Sequence, residues 1–263
     1  MRWIARRAFI VVATAGVATA ALAQAPAKRP PQIAVEADPA KEAEARAALE
    51  KLLVLWEKQS VRIKTLDVGF TRVDKSPGWD RQDEFQGRAS FSAPNLVCVH
   101  YQKVVPAQQA NPAQLKDHLR IVCTGKELLQ YNYEKKQIRR LALDKDFSKQ
   151  LLAGITLPFF FKFNLAEAKQ NYDIKLLREM DDALLISFVP KPNANAPKLF
   201  LGGNLFSKMF VQLNRTTMLP DRVFLVLPNG KDTQDYVFSG LRANAPINDQ
   251  FFHASLTQGW RVF

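Results

Sequence analysis

Two periods of hydrophobicity divide the chain. Ala45, Leu49, Leu52, Leu53 and Trp56 recur at the spacing of one helix face, and Asp38-Pro39 places a capping side chain before a proline at the first helical position. From Ile63 the period shortens to two. Leu66, Val68 and Phe70 alternate with Asp67 and Gly69, and Thr71, Arg72 and Val73 prolong the strand. After a loop at Pro77-Gly78, strand-like runs follow at 84–92, 96–102, 119–123, 127–133 and 137–143. Residues 144–169 break the alternation and read as helical, with the most hydrophobic stretch of the mature chain at 157–163. Strand patterns resume at 172–178, 183–190, 208–213, 222–227 and 232–238, and Asn229-Gly230 marks a hairpin turn. The connections are too short for helical crossovers, so the strands pair antiparallel. The fold class is therefore α+β, a large curved antiparallel sheet with helices on one face. About ten twisted strands curl toward a barrel, and helices across it leave an apolar cavity.

The first residues change the setting. Arg2, Arg6 and Arg7 precede an uncharged stretch from Ala8 to Leu22, and Ala21-Leu22-Ala23 fits the small-x-small rule of signal peptidase. About 15 apolar residues fall short of the roughly 20 that span a bilayer. Gln24, rather than a cysteine, follows the expected cut, which disfavours a lipid anchor. The expected organisation is a signal peptide at 1–23, a Pro-rich disordered linker at 24–37 and one domain at 38–263, in a periplasmic or secreted protein.

Loss of the three leader arginines lowers the net charge from +12 to +9. Such a surface suits solubility or transient contact with anionic lipid, and the charge is not gathered into the basic stripe that nucleic acid requires. In an oxidising compartment Cys98 and Cys123 are either a disulfide, if their strands place them opposite each other, or two buried thiols.

Catalytic signatures are missing. His100, His118 and His253 have no metal-ligand spacing, and G-x-S-x-G, phosphate loops and C-x-x-C do not occur. Asp181-Asp182 and Asp144/Asp146 read as turn or cap residues. The expectation is a protein that is not an enzyme and needs no cofactor or metal.

Several ordered segments resemble the LolA-like periplasmic lipoprotein carriers. The run from Leu213 to Val223 (Leu-Asn-Arg-Thr-Thr-Met-Leu-Pro-Asp-Arg-Val) looks like that family's strand, "x-T-G-L-P" turn, strand pattern. It continues through Asn229-Gly230 and Tyr236-Val237-Phe238-Ser239 to a segment, Asn244-Ala245-Pro246-Ile247-Asn248-Asp249-Gln250-Phe251-Phe252, similar to the closing "N-x-P-I-x-D-x-x-F". Phe91-Ser92-Ala93-Pro94-Asn95-Leu96 sits at the family's Pro-Asn strand junction, and Tyr172-Asp173-Ile174-Lys175 resembles the strand after its central helices. The set covers most of 45–257, and the Phe-rich insertion is most similar to secreted LolA-like proteins known chiefly from planctomycetes.

The resemblance implies an incomplete, strongly curved β-barrel closed by an N-terminal helix and a central helical lid, sheltering acyl chains of lipoproteins or lipids. Ala93 stands where the family has an arginine that helps latch the lid, so that latch does not carry over. The residues expected at the cavity are Phe70, Phe91 and Leu96 on strands, and Leu152, Ile155, Leu157, Phe159, Phe160, Phe161 and Phe163 on the lid. The competing readings are plain core packing of these rings and an envelope sensor or scaffold that binds another protein.

Overall fold

The computed structural model describes residues 39–107, 112, 114–143, 163–192 and 206–263. Helix α1 (Pro39–Val61) starts at the expected proline. Six strands follow as a meander, β1 (Thr65–Ser76), β2 (Arg81–Ser92), β3 (Leu96–Val105), β4 (Gln114–Thr124), β5 (Glu127–Asn132) and β6 (Gln137–Ala142). After α2 (Leu165–Asn171) come β7 (Tyr172–Glu179), β8 (Ala183–Pro190), β9 (Lys208–Asn214), β10 (Pro220–Val226), β11 (Thr233–Ala243) and a short β12 (Arg261–Val262).

All twelve strands form one sheet in the order β12-β6-β5-β4-β3-β2-β1-β11-β10-β9-β8-β7. Neighbouring strands are antiparallel throughout, β1 with β11 included, except that β12 runs parallel to β6. The end strands β12 and β7 do not pair with each other, so among the described residues the barrel is not closed by hydrogen bonds. β12 was not expected from the pattern. It is two residues long, and the backbone hydrogen bonds from Arg261 N–H to Lys136 O and from the following Phe263 N–H to Ile138 O cover the β6 edge.

Alternation along the strands separates two cores. Helix α1 packs Leu53 and Trp56, with Leu49 and Leu52 beside them, onto the face formed by Leu66, Val68 and Phe70 of β1 and their neighbours; we call this the inner face. Ala45, the first member of the helical stripe, is exposed instead. On the outer face Cys98, Val122, Leu129, Tyr131 and Ile138 are covered by the C-terminal segment through Phe252, Ile247, Ala254 and Trp260. Within the expected central helical region, α2 is helical, and residues 144–162 lie outside the described residues. No described helix is long and apolar enough to cross a membrane.

The family-like motifs have local reasons. Asn214 Oδ1 accepts from the N–H groups of Thr216 and Thr217 at 3.0 Å and closes the β9–β10 turn. Asn244 Oδ1 accepts from Lys64 N–H at 2.8 Å while its Nδ2 donates to Arg62 O at 3.1 Å, tying the end of β11 to the α1–β1 junction. Asn229 Oδ1 accepts from Lys231 and Asp232 N–H; in this turn Gly230 alone takes positive φ, at 70°.

A candidate ligand-binding face

The inner face is apolar over most of its breadth. Val97 and Val99 on β3, Leu184 and Ile186 on β8, Val211 and Leu213 on β9 and Val223 on β10 are all fully buried there. Aromatic side chains gather at two places. Near α1, Trp56 stacks on Phe163 at 4.1 Å and 4°, and both meet Phe188 edge-on. Two polar contacts hold that corner: Ser60 Oγ donates to Phe163 O at 3.0 Å, and Leu165 N–H donates to Glu57 Oε1 at 2.8 Å. The Trp56 Nε1 is buried without an acceptor among the described residues.

The second gathering lies toward the β1–β2 hairpin. Phe70 meets Tyr101 at 5.0 Å and Tyr236 at 6.1 Å. Gly87 makes room for the Phe70 ring, since a Cβ there would lie 2.2 Å from Phe70 Cζ and 2.4 Å from His100 O. One step further along β1, on the same face, is Arg72. Its guanidinium carbon sits 4.5 Å from the ring centre of Phe85, 5.0 Å from Tyr101 and 5.7 Å from Tyr236. Arg72 NH2 donates to Asp74 Oδ2 at 2.6 Å and NH1 to the Tyr236 hydroxyl at 3.3 Å. Burial works against the Arg72 charge, but the Tyr236 and Tyr101 hydroxyls and the Asp74 carboxylate outweigh it and raise its pKa. Burial pushes the Asp74 carboxyl up, against the pull of Arg72.

The sites expected from sequence divide three ways. Phe70, Phe91 and Phe163 are all buried in the inner core. Leu96 is not with them: it starts β3 in phase with Cys98 and packs on the outer face. Leu152, Ile155, Leu157, Phe159, Phe160 and Phe161 lie outside the described residues.

The register decides between the two readings of the cysteine pair, in favour of buried thiols. Cys98 stands opposite Val122 and Val97 opposite Cys123, so the two side chains leave opposite faces of adjacent strands, and both thiols are free. A one-residue offset is enough, because side chains alternate with a period of two. Burial raises both thiol pKa values.

Two features were missed in the sequence. One is Arg72 with Asp74, whose signal was there: they continue the inward phase of Leu66, Val68 and Phe70. The other is a clamp on the outer face around Asp67, which is 4% exposed. Arg88 Nε and NH2 donate to its two oxygens at 2.7 and 2.5 Å, Ser90 Oγ donates at 3.1 Å, and Arg242 completes the set. The Arg88 hydrogen bonds foremost, and those of Arg242 and Ser90, hold the Asp67 pKa at about 2 despite burial.

A groove of about 1060 Å³ opens on the outer face, between the C-terminal segment and β4–β6, with Leu96, Lys126, Arg140, Phe252, His253 and Phe263 on its walls. It is remote in topology from the inner face, which lies on the other side of the sheet. Among the described residues no three His, Cys, Asp or Glu side chains converge to hold a metal.

Neither the protein-family models nor the curated proteins include a match to this chain. Solved structures do align with it, at TM-scores below 0.5. An uncharacterized conserved protein from Thermus thermophilus aligns over 82% of this chain and 98% of its own, at 13% identity and a TM-score of 0.47. A LolA superfamily protein from Nitrosomonas europaea aligns over 78% and 97%, at 12% identity and a TM-score of 0.36. The MucA/MucB complex of Pseudomonas aeruginosa aligns over 81% of this chain and 61% of that one, at 16% identity and a TM-score of 0.38. Proteins named for the LolA superfamily and for outer membrane lipoprotein sorting are thus among the solved structures to which this chain is similar.

Proposed function

We propose that this chain is an exported, non-enzymatic, LolA-like binding protein that shelters acyl chains of lipoproteins or lipids on the inner face of its open sheet. The observation that carries the reading is that face itself: a continuous apolar wall from β3 across β1 to β8, in a sheet whose edges do not meet. Sequestering acyl chain is worth roughly 0.8 kcal/mol per CH₂, so a 16-carbon chain offers about 13 kcal/mol before ordering costs. Release requires that part of this be opposed by closure over the empty site. In this reading the segment with Leu152, Ile155, Leu157, Phe159, Phe160 and Phe161 is the lid. Phe163, stacked on Trp56, is the point where it joins the body. Residues 1–23 direct export and are removed after Ala23, and 24–37 are a Pro-rich linker ahead of the domain.

Native mass spectrometry with lipid extraction, on protein purified from its own envelope fraction, tests this. Co-purified lipid or lipoprotein lost on unfolding supports it; a clean apo mass with no uptake of a fluorescent fatty acid refutes it. The second reading, an envelope sensor or scaffold, rests on a separate observation. The C-terminal segment exposes Phe251, Leu256, Val262 and Phe263, and Phe263 and Val262 border the outer groove. In that case the partner would be a protein, and alanine at Leu256 and Phe263 would abolish its capture while leaving lipid uptake intact.

A further inference from the structure

The inner face changes character along the strands. On β1 the inward stripe Leu66, Val68, Phe70 is continued by Arg72 and Asp74, and on β2 the residues facing them are Phe85 and Asp83. On β3, Lys103 stands opposite Phe85, and on β11, Gln234 stands opposite Asp74. Lys103 Nζ meets Asp83 at 2.8 Å, and Arg81 meets the same carboxylate at 2.6 Å. An apolar wall thus ends in a polar rim of three cations (Arg72, Arg81, Lys103) and two acids, with an excess of one positive charge.

Arg72 is the member that reaches deepest into the apolar wall, with a side chain 14% exposed. Its Nε and the Oδ1 of Asp74 are both buried without a hydrogen-bond partner among the described residues. A buried ion pair is a poor source of stability, because desolvation offsets the attraction and well-packed apolar residues often do as well. A half-satisfied one is worse, since each orphaned polar atom costs free energy. Stability therefore does not explain an arginine here. A guanidinium with one N–H unspent, held among three rings at the end of an apolar wall, is instead what an oxyanion head group needs.

We propose that Arg72 binds the carboxylate of a single-chain amphiphile whose hydrocarbon tail lies on the inner face, with Asp74 as an internal competitor for the guanidinium. The proposal rests on the acyl-binding reading and adds the class of head group. The wall accounts for the tail and Arg72 for the choice of end. Asp74 occupies NH2 in the empty protein and yields it, wholly or in part, when the ligand carboxylate arrives.

The test is isothermal titration of the exported protein with laurate and with methyl laurate, below their aggregation limits, repeated on Arg72→Gln and Asp74→Asn. Wild type should prefer laurate at least tenfold. Arg72→Gln should remove that preference while methyl laurate affinity stays within twofold, and Asp74→Asn should tighten laurate several-fold by freeing Arg72. An equal loss for both ligands in Arg72→Gln, or no gain in Asp74→Asn, overturns the proposal. If Arg72→Gln does not fold, as circular dichroism would show, Asp74→Asn decides alone because it keeps the arginine. Wild type that binds both ligands equally overturns the head-group assignment and leaves acyl binding standing. Wild type that binds neither overturns both.

Discussion

Replacing Asp67 by Asn isolates what the outer clamp contributes. The carboxylate is buried and receives hydrogen bonds from Arg88, Arg242 and Ser90, while the two arginine side chains are themselves 51% and 58% exposed. Lowering a carboxyl from 3.8 to about 2 corresponds to roughly 2 kcal/mol of stability. Water around the half-exposed guanidiniums screens them, so we take about 2 kcal/mol as the upper end. Because the folded pKa lies below the unfolded one, this stability is complete above about pH 4 and disappears as pH falls from there toward about 2. Asp67→Asn should therefore be less stable than wild type by about 1–2 kcal/mol at pH 6, and the difference should shrink to about a third of that at pH 2.5. Urea unfolding at both pH values measures this. A difference under about 0.5 kcal/mol at pH 6, the scatter expected of surface substitutions, or one that does not shrink on acidification, refutes the clamp.

Three other substitutions probe separate elements. Gly87→Ala should destabilise by about 1–3 kcal/mol, because a Cβ would collide with the Phe70 ring and with the rigid His100 carbonyl; thermal unfolding checks it, and a neutral result would mean the ring is placed elsewhere. Gly240 takes φ of 59°, and a Cβ added there would meet nothing within 4 Å, so Gly240→Ala should cost about 1 kcal/mol purely from backbone strain, read as a lower melting temperature with unchanged near-UV circular dichroism. Trp56→Ala should cost about 3–5 kcal/mol and change the near-UV aromatic signal, since the indole stacks on Phe163 and meets Phe188; a loss under about 1 kcal/mol would show that α1 is not anchored there.

How far the fold was legible depended on the range of the signal. Helix α1 and the strand meanders follow from local periodicity and short connections, which sequence carries directly. Register does not follow so easily. The cysteine pair stayed open between a disulfide and two buried thiols because Cys98 and Cys123 differ by one position from facing each other, and Leu96 went to the wrong face because β3 places its inward phase at Val97. Strand runs of alternating apolar character were read without a phase, and on a sheet buried on both sides, as β3 and β4 are, hydrophobicity alone does not give one. β12 escaped because two residues carry no period. Asp67 looked like an ordinary outward residue, since its partner Arg242 comes from 175 positions away.

That partner is brought in by a single irregularity. Asp67 faces Arg242 and Gly69 faces Ser239, so Gly240 and Leu241 together oppose Val68. The extra residue switches the phase of β11: without it Arg242 would point inward, and with it the guanidinium emerges beside Asp67. The place matters, because β1 is the seam of the sheet. On one side lies the β2–β6 meander and on the other the β7–β11 meander, and among the described residues the β1–β11 pairing alone joins them by strand hydrogen bonds. Both polar clusters straddle this seam. On the outer face Asp67 takes Arg88 from one meander and Arg242 from the other. On the inner face Arg72 is enclosed by Phe85 and Tyr101 from one side and by Tyr236 from the other. Apolar alternation specifies a register only modulo two, whereas a carboxylate gripped from both sides specifies one alignment. The charges of β1 therefore do on the outside what apolar packing cannot, and on the inside they place a guanidinium where both halves of the sheet meet the proposed ligand.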